Sequence, residues 1–116
     1  MTNVKYITTL DFNEAKLNFD GFSIIECINE NNALLKTMES ILFRLKNSIP
    51  FPIEHLRIDC QNNPFIVDQF YVTQEPSYLF FFNGDFIDRI DGIVSFAELS
   101  LKMNQHIESL ALHVEK

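Results

Sequence analysis

The chain has 116 residues, 47% of them apolar, and a formal net charge of −7 with His neutral. That length suits one domain with a sizeable core, and the apolar content excludes a disordered acidic tail; no apolar run approaches the roughly 20 residues a membrane-spanning helix needs. The negative charge, with no Lys/Arg cluster among exposed aromatics, argues against nucleic acid and leaves a basic protein partner open, while the N-terminus lacks a signal-peptide layout, so a cytoplasmic location is expected by default.

In chain order, Val4 to Thr8 reads as a first strand, and Asp11-Phe-Asn-Glu14 has the spacing of a capping box opening a short helix that ends before Asp20-Gly21. Phe22 to Ile28 is a buried strand. The joint Asn29-Glu30-Asn31-Asn32 then leads into a helix over Ala33 to Ile49, in which Leu34, Met38, Ile41, Leu42 and Leu45 share one apolar face. Pro50 and Pro52 end that helix, and Ile53 to Asp59 follows as a third strand. Asn63-Pro64 predicts an N-cap with proline at the first helical position, opening a brief helix through Phe70. Ser77 to Phe82 is a fourth strand, turned by the hairpin dipeptide Asn83-Gly84 onto Phe86 to Ile90. After Gly92, Ser95-Phe-Ala-Glu98 forms a capping box for a closing helix with Phe96, Leu99, Met103, Ile107 and Leu110 on its core face. The order βαβαβαββα predicts an α/β fold: a central mixed sheet, helices on both faces, with right-handed parallel crossovers and a terminal antiparallel hairpin.

This order, with Phe22-Ser-Ile-Ile-Glu-Cys-Ile28, Ile58-Asp59 before Asn63-Pro64, and Val72-Thr-Gln-Glu-Pro76-Ser-Tyr-Leu-Phe-Phe-Phe-Asn-Gly84, resembles the thioredoxin family over nearly the whole chain. The resemblance implies a thioredoxin-like fold and a cis bond before Pro76, whose neighbour's backbone would face an extended peptide. It also matches Glu26 to the family's buried acid. The active-site loop of the family falls on Asn31-Asn-Ala-Leu-Leu35 and none of its residues is kept. Asn32 and Leu35 stand where the two thiols would be, at a helix N-terminus that lowers a thiol's pKa, so disulfide reductase activity is not implied.

Read on their own chemistry, the remaining candidates are few. Glu26, the odd residue in an apolar strand, is expected either to titrate high or to find a partner. Cys27 reads as a small core residue, and Cys60, beside Asp59, as an exposed thiol that the adjacent carboxylate does not activate. His55, His106 and His113 do not cluster with each other or with the cysteines, so no metal or other cofactor is expected. The Phe80-Phe81-Phe82 run is core.

The leading expectation is a redox-inactive thioredoxin-like module that binds protein or extended peptide as a chaperone, adaptor or accessory subunit. Its groove would be formed by Asn29 to Leu34, Glu75-Pro76 and Asp91-Gly92, with Glu30, Glu75 and Asp91 favouring a basic partner. Two alternatives stand beside it: a monothiol enzyme or thiol sensor using Cys60, and a structural subunit that binds through its helical faces. Partner and oligomeric state are not legible.

Overall fold

Six consecutive residues with every side chain buried, Phe22–Cys27, form the centre of a five-stranded sheet. The computed structural model of the protein describes residues 4–8 and 20–114, apart from the side chains of 111–114. The capping box at Asp11 to Glu14, and the helix expected from it, lie outside these residues.

The strands are β1 (Lys5–Tyr6), β2 (Phe22–Cys27), β3 (Ile53–Ile58), β4 (Ser77–Phe82) and β5 (Asp85–Asp91), and the helices α1 (Leu35–Ser48), α2 (Pro64–Gln69) and α3 (Phe96–Val114). In the sheet the order is β1-β3-β2-β4-β5. β3 runs parallel to both β1 and β2, whereas β4 is antiparallel to β2 and β5. The fold is thus a mixed α/β arrangement with the terminal hairpin inserted antiparallel. Asn83 and Gly84 both take positive φ, 49° and 87°, which matches the right-handed twist of the flanking strands. Asn83 also ties the hairpin to the start of β2, its Oδ1 accepting the Gly21 N–H at 2.8 Å.

Alternation along the strands divides the core into two layers. Phe22, Ile24, Tyr78 and Phe80 point to one face, where Met38, Leu42 and Leu45 of α1 and Leu99 and Met103 of α3 cover them. Ile25, Cys27, Leu56, Ile58, Leu79 and Phe81 point to the other, against Ile66 of α2 and Phe70. Burying each of the large apolar side chains contributes about 1.5–3 kcal/mol, so this alternation fixes the strand register.

Local chemistry shifts some boundaries. β1 is two residues long rather than five and pairs only with β3 at the sheet edge, where the Ile7 N–H also donates to the Arg57 carbonyl at 2.8 Å. Asn63 occupies the N-cap of α2 without a side-chain cap bond, and its Nδ2 donates to the Asp59 carbonyl at 2.9 Å. The capping box of α3 forms reciprocally: Glu98 N–H donates to Ser95 Oγ at 3.1 Å and Ser95 N–H to Glu98 Oε1 at 3.3 Å. Among the described residues no helix is long and apolar enough to cross a membrane.

Candidate functional site

Three chain segments meet at the C-terminal ends of β2 and β3: the loop 29–34 that precedes α1, the segment 72–76 that precedes β4, and Asp91-Gly92 at the end of β5. The loop is organised by its own asparagines. Asn29 Oδ1 accepts the Asn31 N–H at 2.8 Å, and Asn32 Oδ1 accepts the Leu34 N–H at 2.8 Å, supplying the capping bond that Leu34 itself cannot. Asn32 therefore works as a turn residue, and Leu35 is the first residue of α1, half-buried. Neither offers a nucleophile.

The Glu75–Pro76 peptide is cis, and the Glu75 side chain reaches across to the loop. Its Oε1 accepts the Asn29 N–H at 2.8 Å and Asn32 Nδ2 at 3.1 Å, while Oε2 accepts the Cys60 thiol at 3.3 Å. Burial would raise this carboxyl's pKa, but the bonds from Asn29, Asn32 and Cys60 outweigh it and hold the group below the usual carboxylate range. All three donors are neutral, so the full negative charge of Glu75 faces this end of the molecule. Glu30 stands exposed on the loop beside it.

Asp91 is different. Arg89 Nη2 donates to its Oδ1 at 2.8 Å and Ser77 Oγ at 3.0 Å, and the arginine first, then the serine, hold it below its ordinary pKa although burial opposes them. Its charge is offset by Arg89. Gly92 follows with φ +90° and donates its N–H to the Pro76 carbonyl at 2.7 Å. The positive φ is what favours glycine there; an added Cβ would also lie 2.9 Å from Gln74 Oε1, the end of an exposed side chain that can move aside.

The thiols are inert by environment. Burial pushes Cys27 up to about 12, and burial together with the bond to Glu75 pushes Cys60 up to about 11. At neutral pH neither environment favours the thiolate. Cys27 is fully buried in the layer facing α2.

Beneath α1 lies a polar cluster that sequence reasoning approached only through Glu26. Glu26 is fully buried, and its Oε1 accepts Arg57 Nε at 2.8 Å, with Arg57 Nη2 at 2.7 Å from the same oxygen and His55 Nε2 at 3.0 Å. Its Oε2 accepts the Tyr78 hydroxyl at 2.9 Å. Arg57 extends the cluster to Glu39 of α1 at 3.1 Å and to the Tyr6 hydroxyl at 3.4 Å. Burial acts to raise the Glu26 pKa, but His55, Arg57 and Tyr78 together bring it below its ordinary value. The same carboxylate, with burial, pushes the Tyr78 phenol up. Of the two outcomes expected for Glu26, the structure shows the paired one. The signal that would have found the partners is register: Ile24 pairs with His55 and Glu26 with Arg57, so alternate residues of β3 point to the face that carries Glu26.

Beside Glu75, but on the side away from the loop, a depression of about 260 Å³ is lined by Cys60, Gln61, Val67 and Val72 to Glu75. Thr73, Gln74 and Glu75 are exposed, and among the described residues the N–H and C=O of Thr73 and Glu75 have no hydrogen-bond partner. Among the described residues no group of His, Cys, Asp and Glu is placed to hold a metal ion.

No family model matches the chain, and no curated protein does. Among solved structures, 315 chains match. One is a crystal structure of a designed protein, similar with a TM-score of 0.80 at 15% identity, over 91% of this chain and 99% of that one. A likeness at that identity shows the fold alone, and a fold does not carry a function with it.

Proposed function

We propose that the protein is a thioredoxin-like, redox-inactive module that binds extended polypeptide, serving as a chaperone, adaptor or accessory subunit. The observation that carries this reading is the pairing of a sterilised thiol site with an open backbone edge. Asn32 and Leu35 occupy the thiol positions that the family resemblance defines, Glu75 staples the surrounding loop, and Cys60 is held protonated. Next to them, Thr73 and Glu75 present N–H and C=O groups that have no partner among the described residues, an exposed edge of the kind that accepts an added strand, while the Gln74 carbonyl between them accepts the Ser77 hydroxyl. Glu30 and the cation-free Glu75 favour basic residues in the segment that adds, in a chain of net charge −7.

The test has two arms. An insulin-type disulfide reduction assay supplied with an electron-donating reductase stays at background, and an array of thiol-free extended peptides gives binding biased toward basic members. Turnover above background that disappears in Cys60→Ser would replace this reading with the monothiol enzyme.

A further inference from the structure

Glu75 divides the region around the cis-proline into two sides with different access. Toward the loop, its carboxylate is bonded to Asn29 and Asn32, so the gap between the 73–76 segment and that loop is bridged by the side chain. Away from the loop, the depression beside Cys60 is open, and none of its lining residues comes from 29–34. Val67 and Val72 give its lining an apolar part, and Thr73 and Glu75, whose backbone groups have no partner among the described residues, line it as well. At about 260 Å³ it falls below the about 300–1,000 Å³ typical of small-molecule sites. It has room for one side chain rather than a metabolite.

Val72 is held in place by a strained turn. Tyr71 takes φ +52°, a left-handed conformation that bulky residues rarely adopt, and it is 81% exposed. Arg89 fixes this turn by donating to the carbonyls of both Phe70 and Tyr71, and Asp91 and Ser77 in turn fix Arg89. A conformation over-determined in this way packs Phe70 and Val72 against the core layer of Ile66 and Phe81, and by fixing Val72 it also preorganises the surface beside Val67. Arg89, the cation behind the turn, is paired with Asp91; among the described residues no Lys or Arg lines the depression and Glu75 has no cationic partner, so the unpaired charge at its edge is negative.

We infer that this depression is the anchor subsite for a basic extended polypeptide: it takes one aliphatic side chain of a segment whose backbone pairs with Thr73 and Glu75 and whose flanking residues are cationic. The inference rests on the peptide-binding reading above and moves the contact from the loop side of Glu75 to the α2 side.

The test is an NMR titration of the isotopically labelled full chain with three capped pentapeptides: Arg-Ser-Leu-Ser-Arg, the same peptide with Gly at the centre, and Glu-Ser-Leu-Ser-Glu. The leucine-centred basic peptide is expected to shift the amides of Cys60, Val67 and Val72 to Glu75. The Gly peptide and the acidic peptide should each bind about tenfold or more weakly. In Val67→Asp, whose fold is checked by its own amide spectrum, the leucine peptide should lose that preference over the Gly peptide. The comparison of the three peptides on the unaltered chain stands even if that variant does not fold. Shifts confined to residues 29–34, with Leu and Gly peptides binding equally, would overturn the subsite and leave peptide binding intact. No shift with any of the three peptides at millimolar concentration would overturn both.

Discussion

The Cys60 thiol donates to Glu75 Oε2 at 3.3 Å, so the more accessible of the two cysteines is tied to an anion that keeps its proton on. Burial is the first cause of its raised pKa, and the carboxylate is the next. Removing the charge while keeping the shape separates the two. In Glu75→Gln, the alkylation rate of Cys60 near neutral pH should rise by up to about tenfold for each unit by which its pKa falls. Iodoacetamide kinetics followed by mass spectrometry measure this directly; an unchanged rate would mean that burial alone controls the thiol.

Arg57 supplies two nitrogens to one oxygen of a carboxylate that has no contact with solvent. Arg57→Met leaves Glu26 with His55 and Tyr78 but without its permanent cation, and should cost about 3–5 kcal/mol in a urea unfolding experiment. Glu26→Leu combined with Arg57→Met should be markedly less damaging than the sum of the two single changes, since it removes both buried charges together. Additive losses would show that the pair is not coupled.

Acid should weaken the fold through the same carboxylate. The pKa of Glu26 lies below its ordinary value of 4.5 in the folded chain, so the unfolded chain binds the proton more readily. Its contribution to stability is complete above about 4.5 and is lost as pH falls through the folded value. Glu75, Asp88 and Asp91 shift the same way and add to the slope. Urea midpoints measured from pH 7 down to 3 should therefore fall at the acid end, and Glu26→Gln should reduce that dependence while lowering stability at pH 7.

Gly92→Ala is expected to destabilise by about 1–2 kcal/mol from the backbone conformation alone. The new Cβ also meets Gln74 Oε1 at 2.9 Å, but that atom ends an exposed, flexible side chain that can swing aside, so this second part is small. In Gln74→Ala the second part disappears and the first remains. Thermal unfolding of the two single variants and the double variant resolves them; a double variant as stable as Gln74→Ala would show that the positive φ carries no penalty.

How much of this was legible depended on whether the determinant was local. Asn83-Gly84, Ser95 with Glu98, Pro64 and the spacing of Leu42, Leu45, Leu99 and Met103 act within a few residues, so they placed the hairpin, the caps and the helix faces close to where the structure has them. The boundaries of β1 were not local: they depend on which residues find partners on β3, Lys5 on Leu56 and Tyr6 on Arg57. Glu26 was recognisable as a buried acid from its apolar neighbours, but His55 and Arg57 became its partners only through the register of β2 on β3. The three acids Glu30, Glu75 and Asp91 looked equivalent in sequence. In the structure Asp91 is matched by Arg89, Glu75 is bonded to neutral donors across the loop, and Glu30 is simply exposed. That distinction depends on side chains reaching across 46 residues of chain, as from Glu75 to Asn29.

Polypeptide binding without thiol chemistry is the property proposed for this chain. The most direct measurement is a binding isotherm with reduced, carbamidomethylated lysozyme, a basic chain that stays unfolded and carries neither free thiol nor disulfide, taken at two ionic strengths. Saturable, reversible binding is expected, weakening as salt rises because the attraction to Glu30 and Glu75 is screened. No saturable binding of this chain, together with covalent capture of a disulfide-containing chain by Cys60, would contradict it.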